Sequence, residues 1–401
     1  MEPRKRRVLV TIALAELLTM SLWFSATAAA PELTAEWGLT AAESAWLTIA
    51  VQLGFVAGAL LSSTLTLSDV IPPRYLFAGS AAAGAACTAV IASTVDTAGP
   101  AIALRFLTGV ALAGVYPPGM KLLAGWFRQG RGFAIGVLVG ALTVGSALPH
   151  LLRAVGGVGA PRAVLYGAAG LATVGGLLAL LVDPGPHQAP TAPFDPGAIL
   201  RMVWDRGTML ANGGYFGHMW ELYAVWTWIP AYLVASLAAG GGGSESTASL
   251  LAFGAIAVGG VGAVGAGVAA DRFGRTSVTS VSMGVSGVAC LVAGLLFGSP
   301  PALLVPFVLI WGVAIVADSA QFSAAVSELA EESYVGTALT LQTAVGFLLT
   351  TVSIRLVPIV VDAVGWRWAF APLAIGPAIG IASMARLRGL PVASKLAGGR
   401  K

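Results

Sequence analysis

Gly267-Val268-Ala269-Ala270-Asp271-Arg272-Phe273-Gly274-Arg275 is a charged loop set between two long apolar stretches. Far upstream, at the matching place between two other apolar stretches, stands a worn copy, Ser68-Asp69-Val70-Ile71-Pro72-Pro73-Arg74. A short motif read twice between greasy segments points to a duplicated membrane protein.

Composition agrees. The chain is 57% hydrophobic and only 10% charged, with a mean hydropathy of +0.85. An ordinary soluble domain carries about 25% charged residues. Apolar runs long enough to cross a hydrocarbon layer of roughly 30 Å recur from end to end. They are continuous and rich in Leu, Ala and Gly, without the period-two alternation of a barrel strand. Backbone groups in lipid must be paired internally, so the runs are read as helices. Twelve spans are predicted, at 8–30, 45–66, 75–94, 101–123, 132–152, 162–182, 207–234, 247–269, 276–298, 302–324, 335–358 and 366–386.

Charge sets the expected topology. Arg4, Lys5, Arg6, Arg7, Arg74, Lys121, Arg128, Arg131, Arg201, Arg206, Arg272, Arg275 and the basic C-terminal tail fall on one side, against Arg105, Arg153, Arg162, Arg355 and Arg367 on the other. The positive-inside rule then places both termini in the cytoplasm of a multi-pass protein of the cytoplasmic (inner) membrane. The net charge of +4 reflects that topology, and nucleic acid is not an expected partner. The N-terminal run is too long for a signal peptide, and Glu16 lies inside it. Cys87 and Cys290 are isolated within spans, so neither disulfide nor metal chemistry is expected.

The duplication extends beyond the loop. Gly58 aligns with Gly260, Gly109-Val-Ala-Leu-Ala with Gly312-Val-Ala-Ile-Val, and Gly132-Phe-Ala with Gly336-Thr-Ala. The seam is the proline-rich stretch 183–206. The expected fold is therefore an all-α polytopic membrane protein of twelve transmembrane helices in two pseudo-symmetric six-helix bundles. Residues 1–182 and 207–401 form the bundles, and a cytoplasmic linker joins them.

The chain resembles the major facilitator superfamily over essentially its full length. Gly267, Asp271, Arg272, Gly274 and Arg275 meet the family's loop pattern, while the first copy keeps Asp69 and Arg74 but lacks the central Arg-x-Gly. Arg105-Phe-Leu-Thr-Gly109 is similar to the family's membrane-embedded arginine motif, and Trp126-Phe127, Arg131-Gly132 and Gly365-Trp366-Arg367-Trp368 resemble further family sites. Ala141 stands where the exporter motif has proline. The resemblance implies a secondary transporter, not an enzyme. It is expected to work as a monomer by alternating access on a small-molecule substrate held at the bilayer midplane. The loop arginines would act as a gate or as simple cytoplasmic anchors.

Ionisable groups inside spans cost about 2.5–3.5 kcal/mol on insertion scales and so mark candidate sites. Glu16, Arg105, Glu221 and Asp318 lie in spans 1, 4, 7 and 10, which line the cavity in the resembled family. Helical spacing puts Tyr215, His218, Glu221 and Trp228 on one stripe, Asp318 with Gln321, and Glu16 with Thr19 and Trp23. A carboxyl group there can gain and lose a proton as its exposure alternates, so protons are the expected coupling ion, with Glu221 first and Glu16 and Asp318 following. Arg105 would hold an acid charged or bind an anionic part of a substrate. Three acids against one arginine, and aromatic residues along span 7, favour a neutral or cationic organic solute. Anion uptake through Arg105, and export of a drug or metabolite, are the alternatives. His150 and Arg153 are expected at the membrane interface. No cofactor or metal site is expected.

Two motifs mislead. Gly260-Val-Gly262-Ala-Val-Gly265 fits a dinucleotide pattern but lies in an apolar span, where close helix packing is the expected role. Gly284-Val-Ser286-Gly287 resembles an intramembrane protease serine, yet no histidine follows it. A membrane sensor of the same fold is the remaining alternative.

Overall fold

In the computed structural model, residues 2–65, 67–127, 131–187, 204–330 and 335–400 are described. The linker residues 188–203, Arg128, and the side chains of Asp69 and Arg131 lie outside them. Among the described residues twelve helical spans are long and apolar enough to cross a membrane. They are Pro3–Trp37, Ala41–Thr64, Pro73–Thr94, Ala98–Trp126, Phe133–Gly157, Pro161–Leu180, Arg206–Ala239, Glu245–Phe273, Arg275–Leu296, Pro301–Leu329, Val335–Val364 and Trp366–Arg388. Several run past the apolar stretch that announces them, because a helix continues into the polar region once it is nucleated.

Four spans are each made of two α-helices with a break between them. Span 1 is helical over Pro3–Met20 and Ser25–Trp37, span 4 over Ala98–Leu112 and Tyr116–Trp126. Span 8 is helical over Glu245–Ala257 and Gly259–Phe273, and span 10 over Pro301–Ala317 and Ser319–Leu329. Such interruptions free backbone groups that must be satisfied inside the protein.

The chain divides into two compact units, Met1–Thr191 with Gly243–Ala257, and Ala192–Gly242 with Val258–Lys401. The first half of span 8 thus belongs to the unit built from spans 1–6. Arg153 binds it there: the guanidinium forks onto Glu32 at 2.8–3.2 Å, donates to Ser249 Oγ at 2.6 Å and contacts Glu245. Ser246 Oγ donates to the Ala154 carbonyl at 2.6 Å. Arg153 is only 3% exposed and His150 is fully buried, so both side chains are enclosed by protein. Arg153 is buried because two carboxylates and a hydroxyl compensate its desolvation.

The duplication is visible in the packing. A Cβ on Gly58 of span 2 would meet the Val110 carbonyl of span 4 at 2.6 Å; one on Gly262 of span 8 would meet the Val313 carbonyl of span 10 at 2.2 Å. Val110 and Val313 are matching residues of the two halves. Small residues let these helix pairs approach, which is the role of the Gly260–Gly265 stretch.

Candidate functional site

Span 7 is one unbroken helix, and its buried face carries the polar groups of the second unit. His218 points at the break in span 10. Its Nδ1 stands 2.9 Å from Asp318 Oδ1, an ion-pair distance, with both side chains 2% exposed. On the other side of the ring, Nε2 is 2.8 Å from Ser319 Oγ. Tyr215 and Phe322 pack beside the imidazole, with centroids 6.2 and 5.7 Å away. The break is what makes this possible: Asp318 ends one helix and Ser319 begins the next, so both reach the same histidine. The Asp318 contact is one of distance and charge, since Asp318 Oδ1 has no hydrogen-bond partner among the described residues; the hydrogen bond of the ring is the one between Nε2 and Ser319 Oγ, in which either can donate according to the tautomer.

One helical turn along, Glu221 is 2% exposed. Its Oε1 accepts from Ser286 Oγ, from Cys290 Sγ at 3.2 Å and from Trp311 Nε1 at 3.2 Å. Ser286 is therefore a ligand of a carboxylate and does not touch His218. His218 and Glu221 are separated by about 4.5 Å along the axis, so two titratable groups share one stripe. Towards the start of span 7, Gln342 Nε2 donates to Asn212 Oδ1 at 3.0 Å, and Ser323 Oγ donates to Gln342 Oε1 at 3.1 Å. Ser319, Asn212, Ser323 and Gln342 escape a reading based on charge, since uncharged polar residues are common in membrane helices. Helical spacing does not find them either: Asn212 is six residues from His218, Ser319 and Ser323 are one and five residues from Asp318, and Gln342 lies on span 11.

Gln321 goes elsewhere. The break at Asp318 turns it away from that residue and towards the 8–9 loop, where Arg275 Nη1 donates to its Oε1 at 2.7 Å. The same guanidinium forks onto Glu328 at 2.8 and 2.5 Å. Gly274, at φ +91°, supplies the turn that starts the next helix with Arg275. Glu328 also accepts the Ala397 backbone N–H at 3.0 Å, and Arg400 donates to the Asp271 carbonyl. Arg272 lies over the Phe273 ring, and the side chains of Asp271 and Arg272 are exposed.

In the first unit Arg105 is fully buried and spends its donors on neutral groups. Nε donates to the Leu47 carbonyl at 3.1 Å, and Nη1 to the Leu22 carbonyl and Ser25 Oγ at 2.8 and 3.2 Å. Nη2 donates to the Trp23 carbonyl. The Leu22 and Trp23 carbonyls lie in the break of span 1, so Arg105 holds that break and thereby the place of Trp23. Glu16 is also fully buried, beside Gly119 and Phe77, and neither oxygen has a hydrogen-bond partner among the described residues. Glu16 and Arg105 do not pair with each other.

Twelve helical spans in two compact units define a polytopic membrane protein. The sequence profile of the Major Facilitator Superfamily matches residues 12–241 and again 211–401. The chain belongs to the major facilitator superfamily. Its structure is similar to that of a mutant of the nucleoside transporter NupG, with a TM-score of 0.72, 14% identity, and 95% of this chain and 99% of that one covered. No curated protein sequence matches the chain.

Proposed function

We propose that the chain is a proton-coupled secondary transporter that moves a small, uncharged or cationic organic solute across the cytoplasmic membrane by alternating access. The observation that carries this reading is the buried cluster of Asp318, His218 and Ser319, with the imidazole 2.9 Å from the carboxylate and 2.8 Å from the hydroxyl, set one turn from Glu221 on span 7. A histidine between a carboxylate and a hydroxyl can pass a proton by exchanging donor and acceptor roles. Glu221, held by three donors, is the second acid of the path. Arg105 supports the choice of solute: its donors are occupied by carbonyls and a hydroxyl, which speaks against an anion carrier built on it.

Reconstitution in proteoliposomes under an imposed pH gradient tests the reading, with nucleosides as the first members of the solute panel. Asp318→Asn and Glu221→Gln are each expected to abolish gradient-driven accumulation and to spare counterflow exchange of the same solute. Accumulation that survives both substitutions overturns the proton path. Serine, histidine and aspartate in this order also have the connectivity of a hydrolytic triad. Labelling of Ser319 by a fluorophosphonate would replace the proton path with that chemistry; no labelling is expected.

A further inference from the structure

Span 2 presents one face to the second helix of span 1. Thr48 Oγ1 lies 2.6 Å from Thr27 Oγ1, and the Phe55 ring packs on Trp23 with centroids 5.1 Å apart. Gln52 stands between them on that face, four residues after Thr48 and three before Phe55. It is fully buried, and neither its amide nitrogen nor its amide oxygen has a hydrogen-bond partner among the described residues. Its neighbours are satisfied: Thr48 by Thr27, and the Leu47 and Trp23 carbonyls by Arg105. A buried amide with both ends unmet is costly and rare in native interiors. Leucine would fill the same space without that cost. A glutamine at such a place needs a partner that the protein itself does not supply.

We propose that Gln52 is the specificity-determining residue of a polar subsite in the first unit, which reads a planar carboxamide or lactam edge of the transported solute. The chemistry follows from the side chain. A primary amide offers a donor and an acceptor side by side in one plane, and the group that answers both at once carries an acceptor beside a donor in its own plane. Trp23 and Phe55 give such a flat group an aromatic wall to lie against. A bare cation or anion would meet only half of the amide. The inference deepens the carrier reading above and rests on it, since it names the kind of solute that such a carrier takes.

The test compares wild type with Gln52→Leu in detergent, by thermal unfolding and ligand-induced thermal shift, so that neither readout needs transport. Two matched probe pairs are used: nicotinamide with 3-acetylpyridine, and uracil with 1,3-dimethyluracil. The second member of each pair lacks the N–H donor; 3-acetylpyridine does so at nearly the same shape, and 1,3-dimethyluracil by carrying a methyl on each ring nitrogen. Without ligand, Gln52→Leu is expected to unfold at the same temperature as wild type or above it, because an unmet amide has been removed. Wild type is expected to bind the amide member about 10- to 100-fold more tightly than its partner, and the variant to lose that preference. A variant that unfolds well below wild type gives Gln52 a structural role and overturns the proposal. So does a wild type that fails to distinguish either pair, or a variant that keeps the distinction. Failure of the carrier reading shows separately, as absence of solute flux in wild-type vesicles.

Discussion

The two copies of the duplicated loop each end on an arginine, Arg74 and Arg275, and put it to different use. In the first copy Arg74 makes a single 2.7 Å contact with Asp183, and the two side chains are 25% and 67% exposed. In the second copy Arg275 is 12% exposed and forks onto Glu328, with Gln321 as a third acceptor. An exposed single pair contributes about 0–1 kcal/mol, whereas hydrogen bonds to a charged group in a sheltered place contribute about 1.5–3 kcal/mol. Glycine explains part of the divergence. Gly274 takes a left-handed φ that aims Arg275 back at span 10, while the first copy has Pro72 and Pro73 where a new helix starts. The motif alone does not fasten the loop; the carboxylate it reaches does.

The largest effect expected from that difference is at Arg275. Arg275→Gln removes the fork and leaves Glu328 with the Ala397 N–H as its remaining described partner, so the carboxylate is stranded in partial burial. A loss of about 2 kcal/mol is expected, read as a fall in the thermal unfolding temperature, together with a clear drop in transport rate. Exchanging the charges, Arg275→Glu with Glu328→Arg, should recover part of both. A double-mutant cycle with no coupling between the two positions would reduce the second loop to the standing of the first.

Much of this architecture was legible in the sequence because hydropathy reports spans and an internal repeat reports duplication. The loop copies and Gly109/Gly312 mark the halves, and Asp318, His218 and Glu221 were visible as charges in grease. The helix breaks were not. Prolines mislead here: Pro31, Pro230 and Pro306 all lie inside continuous helices. The breaks at Ser21–Phe24 and Asp318 instead depend on tertiary partners, such as the Arg105 guanidinium on the Leu22 and Trp23 carbonyls. No local pattern encodes a bond across 83 residues. Gln321 is the cost of that blindness: unbroken helical spacing pairs it with Asp318, and the break hands it to Arg275. Glu328 gives no such signal, because an acid at a span end looks like ordinary solvation.

A smaller effect is expected at the C-terminal tail, and it sharpens the same comparison. Pro391–Gly399 buries Ala393 and Leu396, and its Ala397 N–H lands on the carboxylate that Arg275 holds. The first loop has no counterpart to this tail among the described residues. Leu396→Asp sets a charge in an apolar place, and the tail escapes that cost by undocking. The loss is then limited to the burial of one leucine and the hydrogen bond to Glu328, about 1–2 kcal/mol. Hydrogen exchange should rise across 391–400 while the spans keep their protection. Unchanged exchange there would mean that the tail does not brace the loop.

The smallest effect is expected at Arg74, and it is the strictest test of the comparison. Arg74→Gln breaks the pair with Asp183, but the carboxylate is 67% exposed and water takes over the hydrogen bond. The aromatic contact is also modest, since the guanidinium lies 4.9 Å from the Tyr75 ring centroid in an exposed place. A change below about 1 kcal/mol in stability is therefore expected, with transport close to wild type. Raising the salt concentration should shrink even that difference, because exposed pairs are screened and the sheltered Arg275 fork much less so. An Arg74 variant as impaired as the Arg275 variant, and equally insensitive to salt, would show that the first loop latches through groups other than Asp183. Exposure of the pair would then be a poor guide to which copy carries the work.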